Sequence, residues 1–105
     1  MIKIYDLELS GNCHKVRLMS ALLGVEYELI PVDLLGGEHK SPQFLQLNPL
    51  GQIPVVVDND IIIRDSQAIL VYLARKYGAE SWLPLEAQSM AKVMQWLSFA
   101  AHEIN

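Results

Sequence analysis

Apolar residues alternate with polar ones from Ile2 to Leu7, a two-residue period that predicts a first strand. Ser10-Gly11-Asn12 supplies turn chemistry, and beyond it the period changes. From Cys13 to Leu23 the residues Val16, Met19, Leu22 and Leu23 recur at helical spacing, and Gly24 is placed to close that helix in the left-handed conformation. Tyr27 to Val32 predicts a second strand, so the chain opens as a β-α-β unit. A polar, glycine-containing loop runs from Asp33 to Lys40. Ser41-Pro42 then reads as a cap followed by proline at the first position of a short helix, which runs to Leu47 and is broken by Asn48-Pro49-Leu50-Gly51. Pro54 to Val57 and Ile61 to Ile63 predict two strands joined by Asp58-Asn59-Asp60. Their unbroken apolar runs predict a sheet covered on both faces.

Ser66 to Tyr77 predicts another helix, with Ile69, Tyr72, Leu73 and Tyr77 on one side and Gly78 at its end. Trp82-Leu83-Pro84 reads as a linker. A last helix is predicted from about Leu85 onward, with Met90, Met94, Leu97, Ala101 and Ile104 in one stripe. No capping signal precedes Asn105, so the chain is expected to stop inside a longer helical pattern, as a cut rather than a natural end. The predicted string is β-α-β-α-β-β-α, an α/β unit, followed by one amphipathic helix that needs a partner surface.

Composition narrows the class. With 105 residues, 51% hydrophobic and 19% charged, the chain fits one globular unit and not a disordered one. A net charge of −4 and scattered Lys and Arg exclude a basic face for nucleic acid. No apolar run approaches the ~20 residues that span a bilayer, and the start has no signal-peptide pattern. The expectation is a soluble, cytoplasmic protein with neither nucleic-acid nor membrane partners. The lone Cys13 forms no internal disulfide, and His14, His39 and His102 have no metal-ligand spacing with it, so no metal site is expected.

Two places invite chemistry on physical grounds. Asp65-Ser66 lies where a strand ends and a helix begins, and free N–H groups there favour an anion. Ser66 also reads simply as the helix cap. Ser10-Gly-Asn-Cys-His-Lys-Val-Arg17 joins the first strand to the first helix and carries a hydroxyl, an amide and a thiol in one turn. Cys13 is equally a small buried hydrophobe there.

Ser10 to Arg17, Asn48-Pro-Leu-Gly-Gln-Ile-Pro54, Asp65-Ser-Gln-Ala-Ile69 and the loop Gly37 to Leu45 together resemble the N-terminal half of glutathione transferases, close to plant-like and bacterial serine-type classes. The resemblance spans residues 2 to 84 and continues from Trp82 to Asn105 into a second domain. It implies a thioredoxin-like fold with a mixed four-stranded sheet over residues 1–80. Residues 81–105 are then linker and first helix of an all-helical domain.

The resemblance also implies roles. Ile53 offers backbone N–H and C=O to the cysteinyl part of glutathione, ahead of a cis Pro54. Asp65 and Ser66 hold the γ-glutamyl head group. His39, Lys40 and Gln52 match positions that bind the glycyl end. Ser10 matches the catalytic serine that stabilises the thiolate, with Asn12 as an alternative donor and Cys13 as an alternative redox residue. The implied activity is attack of glutathione, as co-substrate, on a small electrophile by a homodimeric enzyme. Alternatives are a glutathione-dependent thiol-disulfide oxidoreductase or peroxidase, a maleylacetoacetate-type isomerase, and a non-catalytic interaction module of the same fold.

Overall fold

The structure, a computed structural model, describes residues 1–79 and 81–99. Its elements are β1 (Ile2–Asp6), α1 (Gly11–Leu22), β2 (Tyr27–Pro31), a 3₁₀ turn (Glu38–Lys40), α2 (Pro42–Leu47), β3 (Val55–Asp58), β4 (Ile61–Arg64), α3 (Ser66–Tyr77) and α4 (Ala87–Phe99). The sheet order is β2-β1-β3-β4, with β1 and β2 parallel and the other neighbours antiparallel. This is the expected mixed four-stranded, thioredoxin-like arrangement. Among the described residues no helix is long and apolar enough to cross a membrane.

The two-residue strand period sorts the core into two layers. Ile2, Ile4 and Val56 pack with Val16 of α1 and with Ile69 and Leu73 of α3 on one face. Val55 packs with Phe44 of α2 and with Val32 on the other, where Tyr5 meets Phe44 edge to face. Each fully buried aliphatic side chain of this kind contributes about 1.5–3 kcal/mol.

Coverage stops at the edge strand. Ile61 and Ile62 of β4 are 46% and 47% exposed, contrary to the reading that both faces of both hairpin strands are covered. β4 meets the core only through half-buried Ile63, and an unbroken apolar run does not by itself say that a strand is central.

Local chemistry fixes the element ends. Ser41 caps α2 by accepting from Phe44 N–H at 3.2 Å, with Pro42 at the first helical position. Gly24 takes φ 71° after α1, as its C-terminal placement requires. Asn59, at φ 57°, turns the β3–β4 hairpin. α1 begins two residues earlier than its apolar spacing suggests. The linker is anchored through Leu83, which is buried.

α4 starts at Ala87, where the Glu86 carboxylate accepts from Gln88 and Ser89 N–H groups at 3.2 and 2.8 Å. It has no buried residue: Met94, Trp96 and Phe99 are exposed, while Met90 and Leu97 are half-buried. Ala101, His102 and Ile104 lie outside the described residues.

Candidate functional site

Strand register brings the sequence motifs to one end of the sheet. Asp6 pairs with Pro31, Tyr5 with Val55, and Val55 with Arg64. The C-terminal ends of β1, β2 and β4 therefore meet the N-terminal end of β3. Ser10 follows the first, the loop to His39 and Lys40 the second, Asp65 the third, and Ile53-Pro54 precedes the fourth.

Ser10 caps α1, its side chain accepting from Cys13 N–H at 3.2 Å. Its hydroxyl hydrogen still rotates toward whatever acceptor lies near the helix start. Asn12, inside the first turn, is exposed. Cys13 is 0% exposed. Burial pushes its thiol pKa up, against smaller lowering influences from the Ser10 hydroxyl and the Leu7 backbone. A thiol held in that state is a poor nucleophile.

The Ile53–Pro54 bond is cis, as the resemblance implies. Ile53 is half-buried, and among the described residues its backbone N–H and C=O have no hydrogen-bond partner. An unpaired donor and acceptor side by side are available to a partner from outside the chain. The loop before it is built by Asn48, which motif reading left without a task. Buried Asn48 donates through Nδ2 to the Gln52 carbonyl at 2.9 Å and accepts from Leu50 N–H at 3.0 Å. The Asn-Pro start was the available signal, but it reads only as a helix breaker.

Gly51 joins two of the motifs. At φ 64°, a Cβ here would come within 2.9 Å of both the His39 carbonyl oxygen and Lys40 Nζ. Only glycine allows the loop before Pro54 to approach the 3₁₀ turn so closely. His39 is half-buried with Nδ1 buried and unpartnered, while Lys40 and Gln52 are exposed.

At the β4–α3 junction the cap is Asp65, not Ser66. Asp65 sits at φ 75°, ψ 117° and accepts from Ala68 N–H at 3.1 Å, and Ser66 is the first helical residue and is buried. A non-glycine residue with this backbone stores about 1–3 kcal/mol, a kind of strain found mostly at functional sites. Ala68 N–H goes to the Asp65 side chain and Ile69 N–H to its carbonyl. Among the described residues the N–H groups of Ser66 and Gln67 have no partner and, with the helix dipole, favour a carboxylate. The Asp65 carboxylate beside them suits an ammonium group. One turn thus presents both halves of an amino-acid head group's complement.

Residues 1–75 match the family model described as glutathione S-transferase, N-terminal domain. The chain is 42% identical to glutathione S-transferase 3 of Zea mays over 99% of its own length and 47% of that protein's. It is 40% identical to glutathione S-transferase Z1 of Arabidopsis thaliana, covering 92% of this chain and 44% of that one. A Bombyx mori glutathione transferase structure superimposes with a TM-score of 0.92 at 35% identity, covering 95% of this chain and 47% of the other. Human glutathione transferase theta-2, solved with glutathione and an unknown ligand, gives 0.85 at 36% identity over 96% and 42%. The chain spans just under half the length of these relatives.

Proposed function

The chain belongs to the glutathione S-transferase family, and from that membership we propose that it binds glutathione and activates its thiol to attack a small electrophile. Asp65 takes the γ-glutamyl ammonium group, while the first N–H groups of α3 and the Ser66 hydroxyl take the carboxylate beside it. The unpartnered N–H and C=O of Ile53, held before Pro54, pair with the cysteinyl backbone. His39, Lys40 and Gln52 receive the glycyl carboxylate. This lays the tripeptide along the end of the sheet, with its sulfur toward Ser10.

There the chemistry is a matter of one proton. A free thiol ionises near pH ~8.5, and each unit by which a donor lowers that value is worth about 1.36 kcal/mol. Ser10 supplies the donor and the N-terminus of α1 a favourable dipole. Asn12 lies one residue into the same turn and serves as a second donor. The burial of Cys13 supports a packing role for it, and with that the transferase reading over the thiol-disulfide one.

The observation that carries the proposal is the gathering of Ser10, Ile53 and Asp65 at one sheet end by the register of β1, β3 and β4. We further read the serine as marking the serine-type members of the family. Residues 1–80 form the glutathione domain, and 81–105 form the linker and first helix of an all-helical domain that builds most of the electrophile pocket. From family membership we read the working form as a cytoplasmic homodimer, and the apolar side chains that α4 leaves exposed await cover from that helical domain or a second copy. Retention of the chain on immobilised glutathione, and elution by free glutathione, tests the binding half. A folded chain that neither binds the resin nor gives heat with millimolar glutathione overturns the proposal.

A further inference from the structure

Arg17 lies one helical turn beyond Cys13, and its side chain reaches back over the start of its own helix. Nη1 is ion-paired and hydrogen-bonded to the Asp6 carboxylate at the end of β1, and lies 3.4 Å from the Leu7 carbonyl oxygen. Nη2 donates to the Glu8 carbonyl at 3.0 Å. One guanidinium thus holds three consecutive residues of the loop that leads to Ser10. The Leu7 carbonyl also accepts the Ser10 backbone N–H at 3.0 Å, so the turn that ends on Ser10 is tied at the same atom.

Ser10 itself is tied through its N–H to Leu7 and through its carbonyl and hydroxyl to the start of α1, but among the described residues Arg17 is the side chain that hydrogen-bonds Leu7 and Glu8 ahead of it. A cavity of about 520 Å³ lies against Leu7 and Glu8 on the side of Leu29, Pro31 and Val32, where packed side chains would otherwise fix the backbone. The Arg17 and Asp6 side chains are 17% and 8% exposed, so the pair is screened far less than a surface ion pair. Lysine cannot reproduce the arrangement, because a point charge does not span separate acceptors as a planar fork does.

We propose that Arg17 is a positioning residue for thiol activation: it fixes the β1–α1 loop so that the Ser10 hydroxyl meets the sulfur of bound glutathione, without itself touching the ligand. The inference rests on the reading of Ser10 as the thiolate donor. It separates two properties that a general structural role would change together, thiol ionisation and tripeptide affinity.

The test follows the ultraviolet absorbance of the bound glutathione thiolate against pH in the wild-type chain, Ser10→Ala, Arg17→Lys and the double variant Arg17→Gln/Asp6→Asn. The double variant leaves no buried carboxylate without its partner, which protects the fold. Circular dichroism confirms folding, and calorimetry with S-methylglutathione measures affinity without a thiol. Ser10→Ala and both Arg17 variants are expected to lower the thiolate fraction near neutral pH about tenfold, one unit of thiol pKa. Affinity for S-methylglutathione is expected to stay unchanged within error in the Arg17 variants. Folded Arg17 variants that keep the wild-type thiolate fraction while Ser10→Ala loses it overturn the inference. An equal loss of S-methylglutathione affinity, marking general damage, also overturns it. If bound glutathione shows no thiol shift in the wild type, or Ser10→Ala changes nothing, the Ser10 reading fails first and the role of Arg17 falls with it.

Discussion

Lys76 Nζ lies 2.8 Å from Asp58 Oδ2, joining the last turn of α3 to the last residue of β3. The hydroxyls of Tyr72 and Tyr77 donate to the same oxygen at 2.7 and 2.6 Å. The Lys76 ammonium also sits 5.6 and 5.3 Å from the centres of the two rings. The β4–α3 unit is therefore fastened at the hairpin turn, while its other end presents Asp65.

Acid should release that fastening. Burial raises the Asp58 pKa, but the hydrogen bonds from Lys76, Tyr77 and Tyr72 outweigh it and bring it down to about 2. A depressed carboxyl pKa gives stability that is complete above its unfolded value and is lost as pH falls through the folded one. The window is about pH 4 down to 2, and the amount at stake is about 2 kcal/mol. Asp58→Asn should lower the urea midpoint near neutral pH and lose less than the wild type on acidification. Parallel pH dependences of the two midpoints would remove Asp58 from this role.

Asn48→Ala should cost about 1–3 kcal/mol, because it empties a buried site and removes the two part-buried hydrogen bonds that the side chain makes with the Gln52 carbonyl and Leu50 N–H. Glutathione affinity should fall as well, since the loop held by Asn48 delivers Ile53. Urea denaturation and calorimetry on the same preparation report both quantities. A folded variant with wild-type affinity would separate the loop from the site.

The strand and helix order was legible because each element carries its own period and each boundary its own residue: Gly24, Ser41-Pro42, Asn59. The motifs also led to the cis bond before Pro54. What the sequence did not disclose are partnerships across the fold. Nothing local says that Arg17 turns back to Asp6, or that Asp58 collects Tyr72, Lys76 and Tyr77 from a helix well over ten residues away. The cap of α3 was misplaced by one residue for a related reason. Aspartate and serine cap equally well, so the pair Asp65-Ser66 leaves the cap open, and only the backbone shows Asp65, at a positive φ, doing the capping. The exposure of Ile61 and Ile62 likewise follows from sheet order, which no strand states about itself.

The capping role changes how Asp65 should be tested. Asp65→Ala removes cap and charge together and puts alanine at a positive φ, so lost binding would be ambiguous. Asparagine caps as well as aspartate and tolerates this backbone. Asp65→Asn should therefore keep stability within about 0.5 kcal/mol while removing the charge that meets the γ-glutamyl ammonium group. Its glutathione affinity is expected to drop about tenfold or more, as for the loss of a charge-assisted hydrogen bond. Unchanged affinity in calorimetry would move the head group away from this turn.

The competition between Ser10 and Cys13 can be decided by accessibility. Cys13 is fully buried beneath the cap of α1, so a reagent reaches its sulfur only when the helix start opens. A disulfide reagent should label Cys13 at least ~10²-fold more slowly in the folded chain than in denaturant, since exposure and thiolate character both govern the rate. Oxidised glutathione should add no mass to the folded protein. Ser10→Gly serves beside the alanine variant as a control for the cap, because glycine there costs only a few tenths of a kcal/mol and leaves the start of α1 in place. With the fold kept, Ser10→Gly should still lose the shift in thiol ionisation of bound glutathione. Rapid labelling of Cys13 together with an unaltered thiol shift in Ser10→Gly would reverse the assignment, and the thiol-disulfide reading would replace the transferase one.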